Sequence, residues 1–258
     1  MSKRNTQLRR HTINKLVNEL GEVSVEELSQ QFDTSEVTIR KDLASLEANG
    51  LLLRRYGGAI ALPKEVVSEE TSEKVSQRKV NIANAAAILI RDHNRIVIDS
   101  GSTTGALIPK LNQKQGLVVM TNSLHVANAL SELENEPTLL MTGGTWDIRS
   151  ESFQGQVAES VLRAYDFDQL FIGADGVDLS RGTTTFNEML GLSKVMAEVS
   201  REVIVMIESD KIGRKIPNME LSWQQIDIVV TDELLSDSQK EQIESKGVRV
   251  IRATAKNM

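Results

Sequence analysis

Cysteine is absent from the 258 residues, so disulfides and thiolate metal sites are excluded and stability must come from packing. The three histidines, His11, His93 and His125, are scattered and lack the spacing of a structural zinc site, so no metal is expected. No apolar run approaches the roughly 18 to 20 residues that span a bilayer, and the polar start MSKRNTQLRR lacks the apolar stretch of a signal peptide. A cytoplasmic protein without membrane contact is predicted. Enzymatic fingerprints are missing too: there is no Gly-x-Ser-x-Gly elbow, no Walker Gly-Lys-Ser/Thr loop and no Gly-x-Gly-x-x-Gly turn.

The chain is long enough for two domains, and its 40% hydrophobic and 26% charged residues are ordinary for a globular protein. The net charge of -6 is unevenly spread. Residues 1–62 hold nine Lys/Arg against eight Asp/Glu, a net of +1, whereas the rest holds 21 against 28, a net of -7. Screening confines exposed charges to roughly 8 Å, so local basic clusters matter more for a polyanionic partner than the total.

In the first 62 residues, Leu8, Ile13, Leu16, Val17 and Leu20 recur at helical spacing, and Gly21 follows as a stop. Ser24-Val-Glu-Glu27 is a capping box that opens a second helix through Phe32. After a three- to four-residue turn a third helix starts, capped by Ser35, with Val37, Ile39, Leu43 and Leu46 available for the core and Gly50 as its end. This is the helix-turn-helix pattern, in which the later helix enters the major groove and offers its N-terminal residues to the bases. Those residues are Ser35, Glu36, Thr38, Arg40 and Lys41. Alternating strand formers around a Gly57-Gly58 turn then predict a hairpin wing, with Arg54, Arg55 and Tyr56 beside the turn and able to meet phosphates. Arg40-Lys41-Asp42 alone reads as a solvated helix face. The order of helices, caps and basic hairpin is what points to DNA.

Val37-Thr-Ile-Arg-Lys-Asp-Leu, with Leu46-Glu, Gly50 and Arg55-Tyr-Gly-Gly, resembles the N-terminal signature of the DeoR family of bacterial sugar-metabolism regulators. The resemblance implies that the helix after Asp33 is the recognition helix.

Residues 63–80 are charged and poor in large apolar groups, and read as a linker between a winged helix-turn-helix at 1–62 and a second domain at 81–258. Next comes an amphipathic helix through Ile82, Ala85, Ala86, Leu89 and Ile90. Beyond Asn94, seven short apolar runs alternate with polar corners and helical stretches: Ile96–Ile98, Leu117–Met120, Thr138–Met141, Leu170–Ile172, Val203–Ile207, Ile226–Val230 and Val248–Ile251. That alternation predicts an α/β domain with a largely parallel sheet covered on both faces, whose ligand site lies outside the carboxyl ends of the strands.

The corners there are Asp99-Ser-Gly-Ser-Thr-Thr104, Thr121-Asn-Ser123, Thr142-Gly-Gly-Thr145, Gly173-Ala-Asp-Gly176, Glu208-Ser-Asp-Lys211 and Thr231-Asp232. Gly101, Ser102, Thr103 and Thr104 suit an anion, because amide N–H groups and hydroxyls cluster before a helix. The same residue types also make a plain strand-to-helix turn. Asp175, Glu188 and Lys211 add groups for sugar hydroxyls and charge, and Asp99, Asn122, Gly143 and Gly144 complete the candidate effector set. Met120, Met141 and Trp223 read as packing.

These corners are similar to the sensor-domain motifs of the same family. Thr121-Asn-Ser-Leu-His-Val-Ala-Asn and Thr184-Thr-Phe-Asn-Glu look closest to its glucitol operon repressor branch, with the N-acetylgalactosamine regulators near by. The resemblance implies a sensor fold related to ribose 5-phosphate isomerase, a sugar phosphate or hexitol phosphate as effector, no cofactor, operator DNA as partner, and a homo-oligomer, dimer or tetramer. It also raises an enzymatic alternative, in which Asp175 or Glu188 moves a proton and Lys211 stabilises an enediolate. A DNA reader on the same chain makes binding the expected role.

Overall fold

The computed structural model describes residues 3–48, 52–60, 76–148, 150–186, 190–214, 216 and 218–254, which fall into two compact units within 1–73 and 74–258.

The first unit runs α1 (Lys3–Leu20), β1 (Glu22–Ser24), α2 (Val25–Gln31), α3 (Glu36–Ala48), β2 (Leu53–Arg55) and β3 (Gly58–Ile60). Ser24 accepts from the Glu27 amide while Glu27 reaches back to the Ser24 amide, so the expected capping box forms. Ser35 accepts from the Thr38 amide at 3.3 Å and caps α3. Ile13, Val17, Leu28, Ile39, Leu43, Leu46 and Leu52 make the core. Val37, expected inside, is 59% exposed: it stands two residues from Ile39, on the far side of the helix from the Ile39-Leu43-Leu46 stripe. The wing differs by one residue from expectation. Arg55 pairs with Gly58, so the turn is Tyr56-Gly57, with Gly57 at φ 80°. Gly58 is drawn into β3, where a Cβ would lie 2.2 Å from the Val23 carbonyl oxygen, and β1 adds a third strand in the order β1-β3-β2. The expected stop at Gly50 lies outside the described residues.

The second unit contains α4 (Gln77–Ala87), β4 (Arg95–Ile98), α5 (Ser102–Gly105), β5 (Val118–Thr121), α6 (Leu124–Ser131), β6 (Thr138–Met141), β7 (Thr145–Asp147), β8 (Ser152–Gln154), α7 (Gln156–Leu162), β9 (Phe167–Ile172), β10 (Gly176–Asp178), β11 (Gly182–Thr185), α8 (Gly191–Glu198), β12 (Ser200–Met206), β13 (Asn218–Ser222), β14 (Ile228–Asp232), α9 (Asp237–Glu244) and β15 (Arg249–Ala253). Ser76 caps α4 by accepting from the Lys79 amide, so residues 77–80, expected in the linker, are helical. All seven apolar runs are strands of one parallel sheet in the order β15-β14-β12-β9-β4-β5-β6. Alternate residues face opposite sides: Ile96, Ile98, Phe171, Ile204 and Val230 pack with α4 and α6, whereas Val97, Leu170, Ile172, Val205 and Val229 pack with α7, α8 and α9. The sequence did not anticipate two antiparallel additions, the hairpin β7-β8 and the sheet β10-β11-β13. Met120 and Trp223 are buried packing residues, and the Trp223 indole donates to the Leu179 carbonyl. No described helix is long and apolar enough to cross a membrane.

Candidate functional site

On the first unit, the outward side of α3 carries Glu36, Val37, Arg40 and Lys41, all exposed, and Tyr56 stands fully exposed at the turn of the wing. Glu36 and Arg40 pair at 2.6 Å, one helical turn apart. Arg54 pairs with Glu47 at 2.7 Å, and Arg55 pairs with Glu22. Exposed pairs of this kind hold their partners by about 0 to 1 kcal/mol, so a phosphate or base edge displaces them at small cost. The hydroxyls of Ser35 and Thr38 lie 2.9 Å apart at the exposed start of α3, and Ser35 also caps the helix.

Asp42, inside the signature, is almost fully buried and accepts from Arg9 at 2.6 Å and Arg10 at 2.7 Å, tying α1 to α3. Sequence reading passed over this residue, because an acid beside Arg40 and Lys41 looks like surface.

On the second unit the chain builds β4, β5 and β6 in one direction and then crosses to β9 on the other side of β4. The carboxyl ends of β4 and β9 therefore form the switch point at which open parallel sheets bind ligands. Asp99 follows β4 and Asp175 follows β9. Asn122 donates to Asp99 at 2.9 Å and accepts from the Ser100 amide, so it orients the corner. Asp175 accepts from the Thr185 hydroxyl at 2.8 Å and the Phe186 amide at 3.0 Å. The Lys211 ammonium, buried, reaches the Ala174 carbonyl at 3.5 Å.

Gly101, at φ 133°, and Ser102 are exposed at the entrance to α5, while Thr103 is buried. Thr104 is buried as well, and its hydroxyl donates to the Asp99 and Gly101 carbonyls, so it shapes the loop. Since α5 has only four residues, its dipole is short, and local amides and a lysine matter more. That lysine is Lys79, whose ammonium donates to the Ser102 hydroxyl at 2.9 Å. It fell in the expected linker, and nothing in its sequence neighbourhood marks it.

Arg78 beside it pairs with Asp232 at 2.8 Å and Asp210 at 3.0 Å, anchoring the start of α4 to the ends of β12 and β14. Burial opposes the charge of Asp232, but hydrogen bonds from Ser209 and Arg78 outweigh it and hold the pKa low.

Gly143 and Gly144 follow the edge strand β6, and nothing described brings them to this crevice. A Cβ on Gly144 would lie 2.6 Å from the Gln154 carbonyl oxygen, so it serves the packing of β8. Glu188 lies outside the described residues.

The structure adds an unexpected acid, Glu220 on β13, buried and bonded to the Ser193 hydroxyl at 2.8 Å. Burial first, then the charges of Asp99 and Asp175, push its pKa up to about 8. Burial likewise raises Asp99 to about 6, against the hydrogen bonds from Ser100 and Asn122. In the sequence Glu220 sits in Met-Glu-Leu-Ser, an alternation that marks it as polar-faced, whereas in the fold Glu220 and Leu221 are both buried.

A DeoR-like helix-turn-helix domain matches residues 9–65, and a DeoR C-terminal sensor domain matches residues 74–233. The chain is 38% identical over 252 residues to a protein of Escherichia coli O157:H7 described as an aga operon transcriptional repressor, covering 95% of this chain and 93% of that one. It is 33% identical to the HTH-type transcriptional regulator GlpR of Haloferax volcanii, over 96% and 98% of the two chains. Among solved structures it is similar to a ribose 5-phosphate isomerase A from Methanocaldococcus jannaschii, at 20% identity, 52% and 53% coverage and a TM-score of 0.37, an overlap too slight to bear on chemistry. With both domain matches in chain order and relatives spanning nearly its whole length, the chain belongs to the DeoR family of helix-turn-helix transcriptional regulators.

Proposed function

We propose that the protein is a sequence-specific DNA-binding repressor of a sugar or sugar-alcohol utilisation operon, released when a phosphorylated sugar occupies the switch-point crevice of its C-terminal domain. The observation that carries the effector reading is the convergence there of Lys79, Ser102, Asp99, Asp175 and Lys211, a cationic entrance beside an acidic interior. A phosphate takes the Gly101–Thr103 amides and Lys79, and the sugar hydroxyls take the carboxylates. Because Lys79 and Arg78 open the helix that follows the connector, a phosphate that draws Lys79 away from Ser102 acts directly on the connector's point of entry. As a homo-oligomer the protein sets two recognition helices on half-sites spaced by whole helical turns. The effector needs about 10⁴-fold preference for the released conformation to empty the operator.

Two variants test both ends. Arg40→Ala is expected to abolish mobility shifts of operator fragments while sugar phosphate still raises the melting temperature. Ser102→Asp is expected to keep operator binding and lose the response to effector. Operator binding by Arg40→Ala at wild-type strength, or normal release of Ser102→Asp, overturns the respective assignment.

The raised pKa values of Asp99 and Glu220 favour one rival reading, a sugar-phosphate isomerase joined to a DNA reader, since acid–base enzymes use such groups. Incubation with aldose and ketose phosphates, followed by chromatographic separation of products, decides it: Lys211-dependent turnover establishes an enzyme.

A further inference from the structure

Three side chains from the cap and first turn of α4 converge on one buried carboxylate, that of Glu208, which follows β12. Its Oε1 accepts from the Ser76 hydroxyl at 3.2 Å and stands 3.7 Å from Nε of Arg78, and its Oε2 lies 4.0 Å from the Lys79 ammonium. The same ammonium donates to Ser102 at the effector loop, and the Ser76 hydroxyl also accepts from the Lys79 amide as the cap of α4. Glu208 thus stands between Lys79 at the crevice and Ser76, where the connector enters the domain. Its carbonyl accepts from the Lys211 amide, so both crevice lysines are tied to it. One atom in this cluster is left over. Nε of Arg78 is buried and has no hydrogen-bond partner among the described residues, although the guanidinium pairs elsewhere with Asp232 and Asp210. At 3.7 Å Glu208 is too far to satisfy it. Buried donors are nearly always paired, so this gap marks a second place for the same carboxylate to go.

We propose that Glu208 is the positioning residue that carries effector occupancy to the connector, by exchanging the Ser76 hydroxyl for Nε of Arg78 when a phosphate takes Lys79. This deepens the sugar-phosphate reading above and rests on it. In the empty crevice the Lys79 charge holds Glu208 on the Ser76 side. A phosphate carries nearly two charges and bonds the ammonium directly, so it outcompetes a carboxylate 4.0 Å away. Left without that charge, the buried carboxylate needs another cation, and Nε of Arg78 is the near one. Closing that gap takes the acceptor from Ser76, whose hydroxyl is then no longer fixed where it caps α4. Both arrangements use groups already in place, so ligand and connector bias one two-state element, which is the physical requirement for coupling. Couplings of this kind change affinity by about 5- to 150-fold.

The test uses the full chain and an operator fragment that wild type selects from random duplex DNA, with glucitol 6-phosphate, glucose 6-phosphate and glucosamine 6-phosphate as probes. Isothermal titration identifies the tightest probe, and mobility shifts follow operator release by it. Glu208→Gln keeps an acceptor for Ser76 and removes the charge that moves. It should bind operator as wild type does and bind the probe at least as tightly, yet need about tenfold more probe for release. Hydrogen exchange at the Lys79 amide should quicken when the probe is added to wild type and stay unchanged in Glu208→Gln. Ser76→Ala, an exposed change that retains the test if the glutamine variant misfolds, should bind the probe as wild type does while its operator affinity falls and no longer responds. Release of Glu208→Gln at the wild-type probe concentration, or a full wild-type response in Ser76→Ala, overturns the relay alone. So does loss of probe binding in Glu208→Gln, because Glu208 then serves the crevice itself. Failure of all three phosphates to bind wild type overturns the effector reading instead.

Discussion

At Asp42 one buried carboxylate closes two ion pairs, to the buried Arg9 and the half-buried Arg10. Removing one partner of a buried pair leaves the other charge uncompensated and costs about 3 to 5 kcal/mol. Asp42→Ala is therefore expected to unfold the first unit at lower denaturant while the sensor keeps its ligand response, measured by chemical denaturation with and without effector. Glu220 gives a prediction in pH. Its value rises from 4.5 to about 8 on folding, so the folded chain holds a proton that the unfolded chain has released. The resulting stability is complete below about pH 4.5 and declines as pH climbs to about 8. The facing groups are Asp99 and Asp175 after β4 and β9, Ser193 on α8 and Thr183 on β11; Asp99, raised to about 6, adds a slope of the same sign. Glu220→Gln should flatten the fall in melting temperature of the ligand-free protein between pH 5 and pH 8.

The elements follow local chemistry where one residue settles the matter. Ser24→Ala removes the hydroxyl that accepts from Glu27 and should cost about 1 kcal/mol of first-unit stability. Gly58→Ala is the harsher change, since its Cβ meets the Val23 carbonyl oxygen and must part β3 from β1. Circular dichroism melts of the two variants should rank them in that order, with the wing lost first in Gly58→Ala. Sequence spacing alone favoured a Gly57-Gly58 turn; the third strand, which no local signal announces, moved it to Tyr56-Gly57.

For the molecule as a whole, the charge divides between the two parts, and the DNA-reading unit is nearly neutral. Affinity then depends on a few cations that are already paired with acids, Arg40, Arg54 and Arg55. Each phosphate contact contributes about 0.9 to the slope of log affinity against log salt, so Arg54→Ala should lower that slope by about 1 without altering operator preference. Fluorescence anisotropy over a salt series measures it.

The sequence by itself determined the helix-turn-helix order, the caps at Ser24 and Ser35, the seven parallel strands and the polar corners, because periodicity and capping are local and repeat within a few residues. Only the tertiary structure decided which corners meet. The crossover from β6 to β9 joined Asp99 to Asp175 and left Gly143 and Gly144 at an edge strand; the cap at Ser76 drew Lys79 out of the linker; and an antiparallel sheet buried Glu220. Those pairings span tens of residues, and no local pattern records them. For the same reason Asp42 reads as surface in sequence and holds α1 to α3 in the fold.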